Sequence, residues 1–277
     1  CKVAARSPSK PDTLPVTMIA QHQSPALPLP EITPLRLRRS DGKWLELDGK
    51  SCALMGIVNL TPDSFSDGGI HPDAASALRH AERLTQEGAV LLDFGAESTR
   101  PGARLLSVEG EWERLRAVVS GLPRLGLPAV LSIDTRHAAI AERLLDLGFS
   151  VLNLAFPQHL FSAELDSPQA AQRSVADRQR LLGGFDALVL MHSRGTPANM
   201  RELTDYDGDL CDTICAELSL AARMLTDDSP SLVQRIVYDP GLGFAKTAPQ
   251  SLTLLRNTAR LRRQLQRPLL VGCSRKS

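Results

Sequence analysis

The sequence predicts an α/β fold, a (β/α)₈ barrel, and three observations support this fold class. Short apolar runs alternate with longer amphipathic segments from residue 54 onward. The runs are continuously apolar, as expected for parallel strands that are buried on both faces. The alternation is regular and lacks a strong G-x-G-x-x-G fingerprint, which favours a barrel over a doubly wound dinucleotide-binding fold.

Length and composition limit the possible partners. The chain has 277 residues, of which 43% are hydrophobic and 23% are charged, and these values are typical of a globular protein. Its 32 Lys and Arg residues nearly balance 31 Asp and Glu residues, so the net charge is +1. We therefore expect no general attraction to nucleic acid or to an acidic membrane. No apolar run approaches the ~18 residues of a membrane span.

The cysteines indicate a reducing compartment, which is the cytoplasm or, in a eukaryote, an organelle. The chain has 5 cysteines, none in a C-x-x-C pair, and is long enough to form a core without disulfides. Cys211 and Cys215 lie one helical turn apart. Because no further Cys or His lies at ligand spacing, we expect core packing rather than a metal site.

The amino-terminal part divides into a tail and a hairpin. Residues 1–34 hold seven of the 19 prolines and no glycine, which is typical of an extended tail or interdomain linker. Residues 35–48 alternate apolar and polar side chains around Asp41-Gly42, which predicts a β-hairpin. We accordingly assign the barrel domain to residues 35–277.

The remaining elements follow from the apolar runs and the amphipathic segments between them. The predicted strands are 54–58, 89–94, 129–133, 150–154, 187–191, 236–238 and 269–272. The predicted helices include 74–87, 108–120, 137–147, 211–225 and 249–265. This order fits consecutive βα units.

Polar residues that are unusual in type follow each apolar run. The segments are 59–69, 95–102, 134–135, 153, 191–195, 239–246 and 274–276. Any one of them could be an ordinary turn, because Gly, Pro, Asp and Ser form turns everywhere. Since the carboxyl ends of barrel strands converge on one face, seven such segments in succession predict a single active site.

The residue types at these positions suggest two kinds of ligand group. Asp134 and Asp239 are acceptor-only carboxylates that suit a ligand edge with two N–H donors, although they could instead act as general acid and base. Arg100, Lys246 and Lys276 could bind a phosphorylated ligand or could be ordinary surface charges.

Neutral polar and aromatic residues add further candidates. Asn59 and Asn153 offer oxygens that suit Mg²⁺ or a heterocycle. His192 could be a general acid or a packed histidine, and we favour the structural role. Phe65 and Phe244 could stack on a flat ligand or anchor their own loops.

These motifs together resemble the dihydropteroate synthase family. Residues 55–69 resemble its first signature and residues 95–102 its second. The later motifs match in order, at residues 132–135, 190–195, 239–246 and 274–276. The resemblance covers about residues 53–277, and several long motifs in the same order make it highly specific.

The resemblance implies a TIM barrel that condenses 6-hydroxymethyl-7,8-dihydropterin pyrophosphate with p-aminobenzoate, giving 7,8-dihydropteroate and pyrophosphate in folate synthesis. The residues it implies for pterin binding are Asp134, Asn153, Met191, Asp239, Gly243, Phe244 and Lys276. The resemblance also implies two loops that close over the pyrophosphate and p-aminobenzoate. The residues of these loops are Thr61, Pro62, Asp63, Ser64, Phe65, Ser98, Thr99, Arg100 and Pro101. Those for p-aminobenzoate are Thr99, Pro101, Phe244 and Ser274. Asn59 is implied as the contact of the cofactor Mg²⁺.

The sequence departs from the family pattern in two places. Leu154 stands where the family usually has Asp. The chain ends at Ser277, whereas family members continue through a helix, an eighth strand with an Arg-x-His pair and a final helix. We therefore expect an incomplete barrel from a truncated sequence, with poor activity of its own.

The resemblance also implies partners and leaves two alternative functions. It implies a homodimer, and residues 1–34 could join the barrel to an upstream hydroxymethyldihydropterin pyrophosphokinase domain. One alternative is a non-catalytic pterin-binding paralogue or inactive fragment, which the two departures favour. The other is an enzyme like the methyltetrahydrofolate methyltransferases, against which residues 61–65 and 98–102 argue.

Overall fold

Strands and helices alternate along the chain, as predicted. The computed structural model describes residues 33–61, 74–97, 105–154, 175–227 and 229–273. The strands are β1 (Leu35–Arg38), β2 (Trp44–Leu47), β3 (Met55–Asn59), β4 (Leu91–Gly95), β5 (Val130–Asp134), β6 (Val151–Leu154), β7 (Ala187–Met191) and β8 (Ile236–Asp239). The helices are α1 (Ala74–Gln86), α2 (Val108–Leu125), α3 (Ala138–Leu145), α4 (Val175–Gly184), α5 (Leu210–Thr226), α6 (Ala248–Arg256) and α7 (Thr258–Leu265).

Strands β3 to β8 form one parallel sheet in which each strand pairs with the next strand along the chain. Both β4 and β7 are buried along their whole length, as their continuous apolar character predicts. Helices connect successive strands and cover the sheet with apolar side chains such as Leu115, Ile140 and Leu218. Parallel strands paired in chain order are the pattern of a (β/α) barrel, so the predicted fold class is confirmed.

The seventh apolar run, 269–272, pairs with the sheet less fully than predicted. Tyr238 of β8 forms a single parallel bridge with Leu269. Two backbone hydrogen bonds support it, from Tyr238 N to Pro268 O at 3.0 Å and from Leu270 N to Tyr238 O at 2.8 Å. Within the described residues, this run has a strand neighbour on the β8 side only.

The predicted helix over 249–265 is two helices, α6 and α7, that meet at Asn257. The Asn257 side chain donates a hydrogen bond to Thr253 O at 2.8 Å, which competes with continued helix. Elsewhere α5 buries both Cys211 and Cys215 in the apolar core, as expected. None of the helices in the described ranges is long and apolar enough to cross a membrane.

The hairpin of β1 and β2 covers the amino-terminal end of the sheet. Leu35 and Leu37, which are 4% and 1% exposed, pack against the first residues of four strands. Those residues are Leu91, Val130, Val151 and Ala187. The apolar alternation that predicted the hairpin therefore also seals one end of the barrel core.

Hydrogen bonds fasten this hairpin to the residues that immediately precede three strands. Ser40 N donates to Ala129 O at 2.9 Å, and Ser150 Oγ donates to Arg38 O at 2.8 Å. The Asp186 carboxylate accepts from Arg38 N at 2.8 Å and from Arg38 Nε at 3.0 Å. The starts of β5, β6 and β7 are thus held by one short element.

Truncation of a buried apolar side chain in the β1–β2 hairpin should destabilise the whole domain. We expect Leu37→Ala to lower the free energy of unfolding by roughly 2–5 kcal/mol, because it leaves a cavity against several strands. Urea denaturation measures the change. The control is Leu54→Ala, whose side chain is 57% exposed and should cost little. Equal losses in the two variants would show that the hairpin does not seal the core.

Candidate active site

The ends of four neighbouring strands place their polar residues in one row. Asn59 pairs with Gly95, Gly95 with Asp134, and Asp134 with Asn153. Parallel strands in register bring equivalent positions to the same height in the barrel. The sequence prediction that Asn59, Asp134 and Asn153 lie at one face is therefore confirmed.

Gly95 keeps the middle of this row open. A β-carbon placed on Gly95 would lie 3.8 Å from Asp134 Oδ2 and 3.9 Å from Asn59 Oδ1. These two oxygens consequently flank the same small space above the glycine. A ligand that entered there would meet an amide oxygen on one side and a carboxylate on the other.

Beneath the row lies a buried acid, Asp93, that the sequence analysis missed. Its carboxylate accepts from Ser132 Oγ at 2.5 Å and from Asn153 Nδ2 at 2.9 Å. Burial raises the pKa of Asp93, against the opposing effect of these two hydrogen bonds. The available signal was an acid inside an otherwise apolar strand. By engaging the Asn153 amide nitrogen, Asp93 fixes the orientation of that side chain.

Asp134 lies at the mouth of the barrel within a group of acids. Burial raises the pKa of Asp134 well above its usual range, and the nearby charges of Asp93, Glu111, Glu97 and Asp239 raise it further. An N–H donor from a ligand would stabilise its ionised form in place of lost water. The site is therefore suited to a donor-rich, uncharged or cationic ring.

The ends of β7 and β8 complete the described part of the face. Met191 pairs with Asp239, and its side chain packs against Phe244. One carboxylate oxygen of Asp239, Oδ1, accepts from Gly241 N at 2.7 Å. Gly243 lies exposed in the same loop, with its N–H donating to Ser251 Oγ at 3.1 Å. These pterin-binding candidates lie together as predicted.

Lys246 and His192 form a buried pair beside this loop. Lys246 is only 8% exposed, and its Nζ lies 2.8 Å from His192 Nδ1. Burial, followed by the charge of Lys246, lowers the pKa of His192 to about 4 despite its bond to Glu217. His192 is therefore neutral at pH 7, and it accepts at Nδ1. Lys246 is accordingly not an ordinary surface charge.

Glu217, which lies on α5, connects this pair to Arg194 and Tyr206. Its carboxylate accepts from His192 Nε2 at 2.8 Å and forms an ion pair with Arg194. These contacts, the His192 bond first, lower the pKa of Glu217 to about 2. The Arg194 guanidinium stacks 4.0 Å above the Tyr206 ring. Nothing in the sequence pattern singled out Glu217 or Tyr206.

A second ion pair joins the segments that directly follow β4 and β5. Glu97 and Arg136 pair at 2.8 Å and are both mostly buried. Arg136 Nη2 donates to Leu106 O at 2.7 Å, while Leu106 N donates to the Glu97 carboxylate. The backbone at Leu106 is thereby clamped to Glu97. The sequence gives no sign of this clamp, because its residues come from three separate segments.

Glu111 is a nearly inaccessible acid next to this clamp. It is 1% exposed, and it accepts from Thr135 Oγ1 at 3.0 Å. Burial is the main cause that raises the pKa of Glu111 to about 8. Its Oε1 atom and His137 Nδ1 have no hydrogen-bond partner in the part of the chain that the structure describes. We infer that Glu111 is largely protonated at neutral pH.

Several predicted site residues lie outside the described residues. They are Pro62, Asp63, Ser64, Phe65, Ser98, Thr99, Arg100, Pro101, Ser274 and Lys276. Thr61 is described and lies directly after β3 and Leu60. Leu154, at the position where the family usually has Asp, is 1% exposed and belongs to the main apolar core. The roles assigned to individual site residues stay predictions.

The titration of Glu111 predicts how stability depends on pH. Because its pKa is higher in the folded state than the ordinary 4.5, the folded protein binds a proton that the unfolded chain lacks between about pH 4.5 and 8. Stability attributable to this residue therefore falls as pH rises through that window. We expect Glu111→Gln to gain roughly 3–5 kcal/mol relative to wild type between pH 5 and 9. Urea denaturation across this range measures the difference.

The matched control for this measurement is Glu113→Gln, which changes an exposed acid on the same helix. Its stability should follow the wild-type profile, including the fall with rising pH. A constant difference between Glu111→Gln and wild type from pH 5 to 9 would mean that Glu111 carries no such proton.

Comparison with known proteins identifies relatives for this fold and site. Residues 55–277 match the family profile described as pterin binding enzyme. The dihydropteroate synthase of Synechocystis sp. is 39% identical over 232 residues, which span 83% of this chain and 73% of that protein.

Solved structures agree with this assignment. A crystal structure of the Yersinia pestis dihydropteroate synthase with a sulfonamide drug complex aligns with a TM-score of 0.71 and 34% identity, over 88% of this chain and 80% of that chain. A Plasmodium falciparum HPPK-DHPS structure with pteroate aligns with a TM-score of 0.67 and 26% identity, over 88% of this chain and 40% of that chain. The chain therefore belongs to the family of pterin-binding enzymes and, within it, to the dihydropteroate synthases.

Proposed function

We propose that this protein condenses 6-hydroxymethyl-7,8-dihydropterin pyrophosphate with p-aminobenzoate, forming 7,8-dihydropteroate and pyrophosphate for folate biosynthesis. The observation that carries the proposal is the group of acceptor side chains at the carboxyl ends of the strands. Asp134, Asn153 and Asp239 offer hydrogen-bond acceptors at the mouth of the barrel, with Asp93 beneath them. A pterin ring presents N–H donors along one edge, which complements this set.

The described residues support a binding and orienting role in this reaction. The amine nitrogen of p-aminobenzoate attacks the methylene carbon, the bond from that carbon to the pyrophosphate oxygen breaks, and the amine loses a proton. An aryl amine is neutral at pH 7, so it needs no strong base. Holding the pterin against Asp134 and Asn153 fixes its methylene carbon for attack, which lowers the entropic part of the barrier. Met191 and Phe244 would supply the apolar wall.

The proposal is tested by pyrophosphate release from the two substrates, together with Asp134→Asn. Replacing the carboxylate removes an acceptor for ligand N–H donors, worth about 1.5–3 kcal/mol for a charged partner. We expect the KM for the pterin substrate to rise by roughly 10- to 100-fold, with little change in the KM for p-aminobenzoate.

The outcomes separate the competing functions. Equal increases in the two KM values would refute the assignment of Asp134 to the pterin. Binding of the pterin substrate by wild type without release of pyrophosphate would support a non-catalytic pterin-binding paralogue instead. Methyl transfer from a methylated folate would support the methyltransferase alternative.

We also propose Mg²⁺ as the cofactor, with Asn59 as its protein contact. Asn59 offers a hard oxygen ligand at the mouth, and Gly95 leaves space beside it. In the described ranges, no three His, Cys, Asp or Glu side chains group together in a way that could hold a metal. Phosphate oxygens of the substrate would supply further ligands, as is usual for Mg²⁺. When bound, the ion would stabilise charge on the departing pyrophosphate.

Removal of the Asn59 oxygen should weaken the response to Mg²⁺. We expect Asn59→Leu to raise the Mg²⁺ concentration for half-maximal pyrophosphate release by roughly tenfold or more, a loss that even an outer-shell partner of a metal can cause. The control is Asn153→Leu, which should impair saturation by the pterin without shifting the Mg²⁺ requirement. An unchanged Mg²⁺ dependence in Asn59→Leu would remove this residue from the metal site.

A homodimer is the assembly that we propose. Large apolar side chains lie exposed on two adjacent outer helices, with Leu220 and Met224 on α5 being 50% and 76% exposed, and Leu252 and Leu255 on α6 being 43% and 39% exposed. Each helix thus exposes two large apolar side chains one turn apart, and exposed apolar side chains of this kind are suited to a protein interface. A second copy of the chain would shield them from water.

A link to an upstream hydroxymethyldihydropterin pyrophosphokinase domain is a further proposal about partners. It is supported by the relative from Plasmodium falciparum, an HPPK-DHPS protein of which this chain covers 40%. The Pro-rich composition of residues 1–34 suits a connection between domains.

We likewise propose a reducing compartment, such as the cytoplasm, since Cys211 and Cys215 are free and buried.

A further inference from the structure

The loop that follows β8 has an unusual backbone that requires external support. Three of its residues, Gly241, Gly243 and Ala245, adopt positive φ angles of 65°, 79° and 48°. The angle is unfavourable for Ala245, which has a β-carbon. A β-carbon on Gly241 would lie only 1.9 Å from His192 O, so the loop also approaches β7 closely. Interactions from outside the loop must hold this conformation.

Lys246 supports the loop from the side of β7. Its Nζ donates to Phe244 O at 2.9 Å and lies 3.4 Å from His192 O and 2.8 Å from His192 Nδ1. The ammonium group thus bridges the loop backbone and the residue that follows β7. Since this cation is buried and engaged by protein acceptors, its position suits organising the loop rather than meeting a phosphate.

Tyr206 supports the same loop from the other side. Its hydroxyl donates to Ala245 O at 2.8 Å, and burial raises the pKa of Tyr206 to about 12, so it keeps its proton. The ring is held by Arg194, which pairs with Glu217. Glu217 in turn accepts from His192, which contacts Lys246. Tyr206 and Lys246 therefore belong to one network, and they donate to the consecutive carbonyls of Ala245 and Phe244.

We propose that Lys246 and Tyr206 are positioning residues that hold residues 241–245 in the shape required for pterin binding. They act through Phe244, which packs on Met191, and through Gly241, whose N–H orients the Asp239 carboxylate. Neither residue needs to touch the substrate. The inference deepens the proposed function and rests on it for its kinetic consequence, whereas its structural consequence can be measured without any turnover.

Two variants remove the two grips separately. Lys246→Met deletes the ammonium group and keeps most of the side-chain volume. Tyr206→Phe deletes only the hydroxyl and keeps the ring under Arg194, so this variant should fold even if the first is too unstable. The matched control is Arg235→Met, because Arg235 also donates to two backbone carbonyls, those of Gly183 and Phe185 at 2.7 and 2.6 Å, but at the amino-terminal end of the sheet.

The expected kinetic result is a split between KM and kcat. In both test variants the KM for the pterin substrate should rise, by roughly tenfold in Lys246→Met and by a few-fold in Tyr206→Phe, as expected for loss of a charged and a neutral hydrogen bond. The kcat and the KM for p-aminobenzoate should change less than about twofold. Arg235→Met should lower stability and leave both KM values unchanged.

Amide hydrogen exchange provides the readout that needs no catalysis. The amides of residues 241–246 should exchange faster in both test variants than in wild type, with no change in Arg235→Met. The proposal would be overturned if these amides exchanged at the wild-type rate in Tyr206→Phe and in any folded Lys246→Met. It would also be overturned if they exchanged faster while the KM for the pterin substrate stayed unchanged. Absence of pyrophosphate release by wild type would contradict the proposed function, and the exchange measurement would still decide whether the two residues hold the loop.

Discussion

The parallel hydrogen-bond ladder between consecutive strands is the constraint on which the site depends. Every strand from β3 to β8 pairs with its neighbours in chain order, so the position of a residue within its run fixes its height in the barrel. Asn59, Gly95, Asp134 and Asn153 meet for this reason, although they come from four separate segments. A one-residue slip in any pairing would turn one of these side chains toward the helix layer.

The acids at the carboxyl ends of the strands oppose folding, and their position explains why they are tolerated. Asp93 and Asp134 lie in the last three residues of β4 and β5, and burial raises the pKa of each. Unpaired buried charge is expensive, and whereas Asp93 already accepts from Ser132 and Asn153, Asp134 gains compensation when a ligand brings donors to it. The large apolar core between sheet and helices supplies the stability that the site lacks. A destabilised site within a stable frame is a common arrangement in enzymes.

Sequence patterns predicted the parts of this protein that depend on local periodicity. The strands were identifiable because continuous apolar runs reflect burial on both faces, and the polar segments after them located the site face. Asp93 could not be assigned, since its partners Ser132 and Asn153 lie on other strands. The break at Asn257 was also hidden, because amphipathic spacing continues across it. Glu217 and Tyr206 contribute to the site only through contacts that the fold creates, and these contacts cannot be predicted from sequence spacing.

The amino-terminal hairpin stabilises the barrel at the end of the sheet opposite to the candidate active site. It binds the residues before β5, β6 and β7 at the end of the sheet farthest from the substrate groups. Residues at the opposite mouth can consequently change under selection without releasing the element that holds the strands together. A lineage that had to alter its substrate loops, for example to reject a competing aromatic acid, could do so while this fastening kept the barrel folded. The capacity of the enzyme to vary thus depends on a segment that takes no part in its reaction.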